Sequence, residues 1–163
     1  MEHRVIRKSG MKKDPVTPKL LLAECQKALG FLSSEFSFSE PKLFRHDNVF
    51  EVVFHKSSIA IECVYDARDA DLGLYISRLI NGKRPSVFRV DQKTGRVLRE
   101  GLTAILEAHG IHEIKFDPLP GDPMKIGEQE YTRRALQAYA RLLKMYGSSI
   151  LSGQDDFFEN LKP

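Results

Sequence analysis

Between residues 49 and 78 the chain alternates apolar and polar side chains three times with only short links, and this feature constrains the fold most. "VFEVVFHK" puts Phe50, Val52 and Phe54 on one face, "SIAIECVYD" does so with Ile59, Ile61, Cys63 and Tyr65, and "DLGLYISRL" with Leu72, Leu74 and Ile76. A parallel pair needs a crossover of a dozen or more residues, so links this short predict an antiparallel meander. Its apolar face then has to be covered, and the rest of the chain supplies helices to cover it.

Thr17 and Pro18 form an N-cap and N1 pair ahead of Leu21, Cys25, Ala28 and Leu29, which predicts a helix over 18–29 ending at Gly30. "REGLTAILEAHG" predicts a second helix near 99–109 with Leu102, Ile105, Leu106 and His109 on one face. After the Pro/Gly-rich "DPLPGDP", a long helix is expected over 123–146. Tyr131, Ala135, Ala138, Tyr139, Leu142, Leu143 and Tyr146 form its apolar face, while Arg133, Arg134, Gln137, Arg141 and Lys144 point away. Gly147 closes it, and Ile150, Leu151, Phe157, Phe158 and Leu161 give the tail enough apolar surface to fold back in short turns.

Three shorter elements are also expected. "EFSFSEP" alternates Phe36 and Phe38 and reads as a short edge strand before Pro41; "SVFRVDQKTGRVL" reads as a hairpin with Gly95 at positive φ; "IHEIKF" reads as a last short strand. The expected fold class is α+β: an antiparallel β-meander sheet packed against helices, including a long C-terminal helix.

A chain of 163 residues suits one domain, assigned to 17–163 behind a flexible basic tail, 1–16. Residues 1–13 hold five of the 25 Lys and Arg but one of the 22 Asp and Glu, leaving 20 against 21 for the remainder. The net charge of +3 thus belongs to the tail, and Met11 is an alternative start. No apolar run is long enough for a spanning helix or a signal-peptide core, so a soluble protein of the cytoplasm with no membrane association is expected. Cys25 and Cys63 have no metal-knuckle spacing and read as reduced core residues.

No motif brings chemistry with it. Asp66, Asp69 and Asp71 could offer oxygen ligands, but the fixed glycine and terminal glutamate of a calcium loop are missing, so they read as a charged turn with Arg68 offsetting them. His46, His55, His109 and His112 meet no carboxylate or cysteine at zinc-ligand spacing. "HKSSI" and "YGSSI" lack a nucleophile elbow, and "INGKRPS" lacks the spacing of a phosphate loop. The expectation is therefore no enzyme, no catalytic residue, no metal and no cofactor. The basic face of the long helix could meet an acidic partner; its tyrosines share the apolar face rather than interleaving with the basic residues, which argues against nucleic acid.

The meander "FEVVFHKSSIAIECVYDARDADLGLYISRL" and the ending "ALQAYARLLKMYGSSILSGQDDFF" resemble a group of uncharacterised small bacterial α+β proteins. There a "Y-D-x-R-D-x-x-L" turn, here with Tyr65, Asp66, Arg68, Asp69 and Leu72, precedes a C-terminal helix. The chain closes on "I-L-x-G" and an aromatic pair, here Ile150, Leu151, Gly153 and Phe157. Some members are similar to immunity proteins of polymorphic and contact-dependent toxin systems. The resemblance implies a non-catalytic protein-binding domain that neutralises a cognate toxin by stoichiometric binding, with no catalytic residue to carry over. Asp66, Arg68, Asp69, Asp71, Arg133, Arg134 and Arg141 are the candidate partner-binding residues. Inhibitors of basic nucleases are often strongly acidic whereas this core is nearly neutral, which argues against a nuclease target. The other reading is a secretion-chaperone-like or adaptor protein, for which a stable dimer would be the mark; the oligomeric state is left open.

Overall fold

Thr17 opens the first helix as its sequence predicts: its hydroxyl accepts the Leu20 amide at 3.1 Å, Pro18 follows at N1, and α1 runs Pro18–Leu29. The computed structural model of the chain describes residues 14–85, 89–112 and 123–163. In chain order α2 (Phe31–Phe36), β1 (Lys42–His46), β2 (Val49–Lys56), β3 (Ile59–Asp66), β4 (Asp71–Arg78) and β5 (Arg99–Gly101) follow. Next come α3 (Leu102–Ala108), α4 (Pro123–Ile126), α5 (Glu128–Tyr146), α6 (Ser148–Leu151) and a 3₁₀ turn, Asp156–Asn160.

The strands form one antiparallel sheet in chain order, β1-β2-β3-β4-β5. Register pairs Val52 with Cys63 and Cys63 with Leu74, so the predicted apolar sets of the three central strands fall on one face. α1, α3 and α5 cover that face, and Leu21, Leu29, Phe54, Ile61, Tyr65, Ile76, Leu102 and Leu143 lie in one buried cluster. At roughly 1.5–3 kcal/mol for each large side chain fully removed from water, this layer dominates the folding energy. Cys25 of α1 and Cys63 of β3 are buried as free thiols within it. A hydrogen bond with the Cys25 thiol, with burial behind it, pushes the Cys63 thiol well up.

Several expectations change in detail. Phe36 and Phe38 are not an edge strand: Phe36 ends α2, and Ser37 takes a left-handed conformation (φ 61°) that stops the helix. The edge strand is instead Lys42–His46, tied to β2 by a two-residue loop with Asp47 at φ 50°. The single helix over 123–146 is broken at Gly127 (φ 87°) into α4 and α5. α5 packs on α1 as well as on β4, so its buried arc is wider than a single stripe and includes Thr132, Leu136 and Ala140, while Tyr146 is exposed. The hairpin through "DQKTG" survives as a bridge between Val90 and Val97 with Gly95 at φ 68°. The expected strand in "IHEIKF" and the loop "DPLPGDP" fall almost wholly outside the described residues.

Packing begins ahead of Thr17. Val16 is buried, and Gln129 donates its backbone amide to the Asp14 carbonyl and its side-chain amide to the Pro15 carbonyl. The C-terminal segment folds back twice, through α6 and the 3₁₀ turn. Phe157 and Phe158 stack there, and the Arg78 guanidinium sits 5.1 Å from the Phe158 ring centre. No helix among the described residues is long and apolar enough to cross a membrane.

Candidate functional site

The structure separates the candidate residues into two places. Asp66 and Asp71 face each other in register as the last and first residues of β3 and β4, with Arg68 and Asp69 in the turn between. The Asp66 carboxylate accepts the Arg68 amide at 2.9 Å, and this bond holds it below the usual carboxylate range. The Arg68 guanidinium lies 3.6 Å from the same group, and Ala70 closes the turn at φ 51°. Asp66 is thus occupied with its own turn, the ordinary use of such a residue. Asp71 is exposed, and its charge adds to burial in raising the Tyr131 hydroxyl.

Arg133, Arg134 and Arg141 all lie on α5. Arg133 and Arg134 both bind Glu130, Arg134 at 3.0 Å. Arg133 also reaches across to Glu24 of α1, its Nε 3.4 Å from the carboxylate. Glu24 is only 5% exposed and has Lys27 on its other side at 3.6 Å, so two cations bracket one buried carboxylate at the α1–α5 seam. Around it runs a groove of about 590 Å³ lined by Lys27, Ala28, Arg133, Ala140, Arg141 and Lys144, together with Glu24 and Gln137. The lining therefore holds four cations and one carboxylate, of which Lys27 and Arg133 contact Glu24 and Arg133 is shared with Glu130. Lys144 is steadied over the Phe31 ring, 4.5 Å from its centre.

Of the three arginines, then, Arg133 and Arg141 belong to one groove, and the structure adds Lys27 and Lys144 to them. The aspartate turn is not among the groove's lining residues. Sequence reading placed Lys144 on the outward face of α5 but gave no reason to set Lys27 beside it, because only the packing of two helices a hundred residues apart joins them.

A second polar assembly was missed entirely. On the sheet face opposite the helices, Glu62 is buried. It accepts Ser77 Oγ at 2.5 Å and Arg99 Nε at 3.0 Å, with Arg84 Nη1 3.6 Å away. Arg84 also donates to Glu51 at 3.3 Å, and the two guanidiniums lie over aromatic rings, Arg84 over Phe44 at 4.7 Å and Arg99 over Tyr75 at 4.1 Å. The one available signal was an acidic residue inside the apolar run "SIAIECVYD". Every charge in this lattice meets an opposite charge, so it braces the sheet face rather than presenting a reactive group.

Among the described residues, no group of three or more His, Cys, Asp or Glu is placed to hold a metal ion. His109 lies at the end of α3 with Nδ1 2.8 Å from the Ile105 carbonyl, away from the exposed His46 and His55 of β1 and β2. "INGK" is a tight turn rather than a phosphate loop: Asn81 and Gly82 both take positive φ, and Ile80 and Lys83 exchange backbone hydrogen bonds. No protein-family model, no curated protein and no solved structure matches the chain.

Proposed function

We propose that this chain is a non-catalytic protein-binding domain, an immunity-like protein that neutralises a cognate bacterial toxin by stoichiometric binding through the α1–α5 groove. The observation that carries the reading is the charge imbalance there: Lys27, Arg133, Arg141 and Lys144 line the groove, Lys27 and Arg133 are held by the buried Glu24, and Arg141 and Lys144 make no ion pair among the described residues. Such a surface steers an acidic partner in and fits an acidic helix or loop. It also selects the toxin. A nuclease carries a basic substrate cleft that this groove would repel, so the target is a toxin domain with an acidic surface.

The first test is the gene neighbourhood: the reading predicts a large secreted protein encoded next to this chain, and the C-terminal domain of that protein is then co-expressed with it. The reading predicts a one-to-one complex that survives gel filtration and growth protection of the expressing cell. The double variant Arg141→Glu, Lys144→Glu should fold normally, since both side chains are exposed, and lose protection. Absence of a complex with the unaltered chain, or full protection by the variant, contradicts the reading.

A further inference from the structure

Strand β1 is a sheet edge of unusual character. All five of its residues, Lys42–His46, are exposed, with the apolar Leu43 36% and Phe44 38% open to solvent. Among the described residues the strand pairs with β2 alone. An antiparallel ladder alternates paired and outward-pointing backbone groups, and the pair next to a two-residue loop is hydrogen-bonded. His46, Phe44 and Lys42 therefore direct their backbone groups to Val49, Glu51 and Val53, and Leu43 and Arg45 direct theirs outward. The same alternation sends the His55 carbonyl to the β1 side of β2, where it accepts the Ser39 amide at 2.8 Å.

Beside this edge, on the face away from the helices, lies a cavity of about 230 Å³. Phe44, Val53 and Leu79 give it apolar walls, and Lys42, Lys83 and His55 rim it with Arg84. Arg84 is fixed by Glu51 and Glu62, but Lys42, Lys83 and His55 make no ion pair among the described residues. The edge itself adds the exposed Arg45, so Lys42, Arg45 and Lys83 are the cations open along it, while His46 lies 3.7 Å from Glu51.

The geometry points to β1 as a docking edge for an extended acidic segment of a partner protein, which adds as a sixth strand and places an acidic side chain against Lys42 and Lys83. Charge decides the occupant. Edge-to-edge pairing with a second copy would bring Lys42 and Arg45 of both chains onto one short ladder, and like charges gathered across a strand pair destabilise it. A segment alternating acidic and apolar residues meets the lysines on one face and the exposed Leu43 on the other, while the strand's unpaired amides and carbonyls supply main-chain bonds. This surface is on the opposite layer from the α1–α5 groove, and the inference stands whether or not that groove binds a toxin.

The probe is a short labelled peptide of alternating glutamate and valine, with its lysine counterpart as control, titrated by fluorescence anisotropy. The glutamate peptide should bind and the lysine peptide should not. Leu43→Pro removes only an outward N–H, a position where an edge strand tolerates proline, and should weaken binding at least about tenfold. Lys42→Glu with Lys83→Glu alters exposed side chains alone and should weaken it as much; if the proline variant proves unfolded, this second variant decides. No binding of the glutamate peptide, equal binding of both peptides, or binding unchanged in the folded variants overturns the proposal. So does a dimer in sedimentation that Leu43→Pro dissolves, since a second copy would then hold the edge. Arg141→Glu with Lys144→Glu should leave the peptide's affinity unchanged, which separates this surface from the groove.

Discussion

At the scale of single residues, the buried Glu62 carboxylate is the most consequential polar group. It is satisfied by Ser77, Arg99 and Arg84, and removing it leaves Arg99 without its carboxylate and Arg84 with Glu51 alone. Glu62→Ala should cost about 3 kcal/mol, the lower end for breaking a buried pair, because both arginines keep about a quarter of their surface in water. Urea unfolding measures this, and a loss close to zero would mean that the lattice is decorative. Glu159 offers a pH test at the other end of the molecule. Hydrogen bonds from Arg78 and Arg96 hold its carboxyl below the ordinary range. The unfolded chain takes up that proton more readily, so the contribution is complete above the ordinary glutamate value and is lost as pH falls through the lowered folded one. Stability of Glu159→Gln should therefore fall less steeply between pH 5 and the acid limit, a range set by the ordinary glutamate value. Parallel acid profiles for the two proteins would contradict the assignment.

At the scale of elements, legibility followed how local the cause was. The meander was legible because period-two alternation and short links leave one solution, and α1 because its cap, proline and apolar spacing agree. The break at Gly127 was not, since a glycine inside an amphipathic pattern reads as a weak helical position until its positive φ is seen. The edge strand lies later in the chain than expected, at Lys42–His46, because Phe36 and Phe38 alternate as a strand does, yet Phe36 completes α2 and Phe38 is buried beneath Lys56. The closing turns depend on another glycine: Gly153 has φ 78°, and a Cβ there would come within 2.8 Å of the Lys56 stem. Lys56 is held in place by the Leu151 carbonyl, 3.0 Å from its ammonium group, so it has little room to withdraw. Gly153→Ala should lose about 1–2 kcal/mol from the left-handed backbone alone, with more from the contact, as read by thermal unfolding. An unchanged melting temperature would show that α6 and the 3₁₀ turn do not depend on this corner.

At the scale of the whole molecule, charge is sorted by layer in a way that composition conceals. Outside the first thirteen residues acidic and basic side chains nearly balance. The acidic groups Glu24, Glu51 and Glu62 lie buried or half-buried among arginines, whereas lysines and arginines line the rims of the α1–α5 groove and the β1 edge. Counting residues predicted a nearly neutral domain, and within that balance the fold gathers lysines and arginines at two places, the α1–α5 groove and the β1 edge. The basic residues of α5 were legible as an outward face; their meeting with Lys27 and the strip along β1 were not, because both arise from tertiary contacts. The aspartate turn, which stood out in the sequence, is largely occupied with itself, and Asp66, Asp69 and Asp71 changed together to asparagine should leave the fold nearly unchanged.

The central claim, that the α1–α5 groove receives an acidic protein partner, is tested most directly by calorimetric titration of the chain, at low and high salt, with the secreted C-terminal domain that the proposal predicts to be encoded beside it. A stoichiometry of one is expected, with affinity falling as salt rises. Arg141→Glu with Lys144→Glu should bind at least about tenfold more weakly and with a shallower salt dependence. Binding that ignores both salt and the charge reversal, or no binding at all, would contradict it.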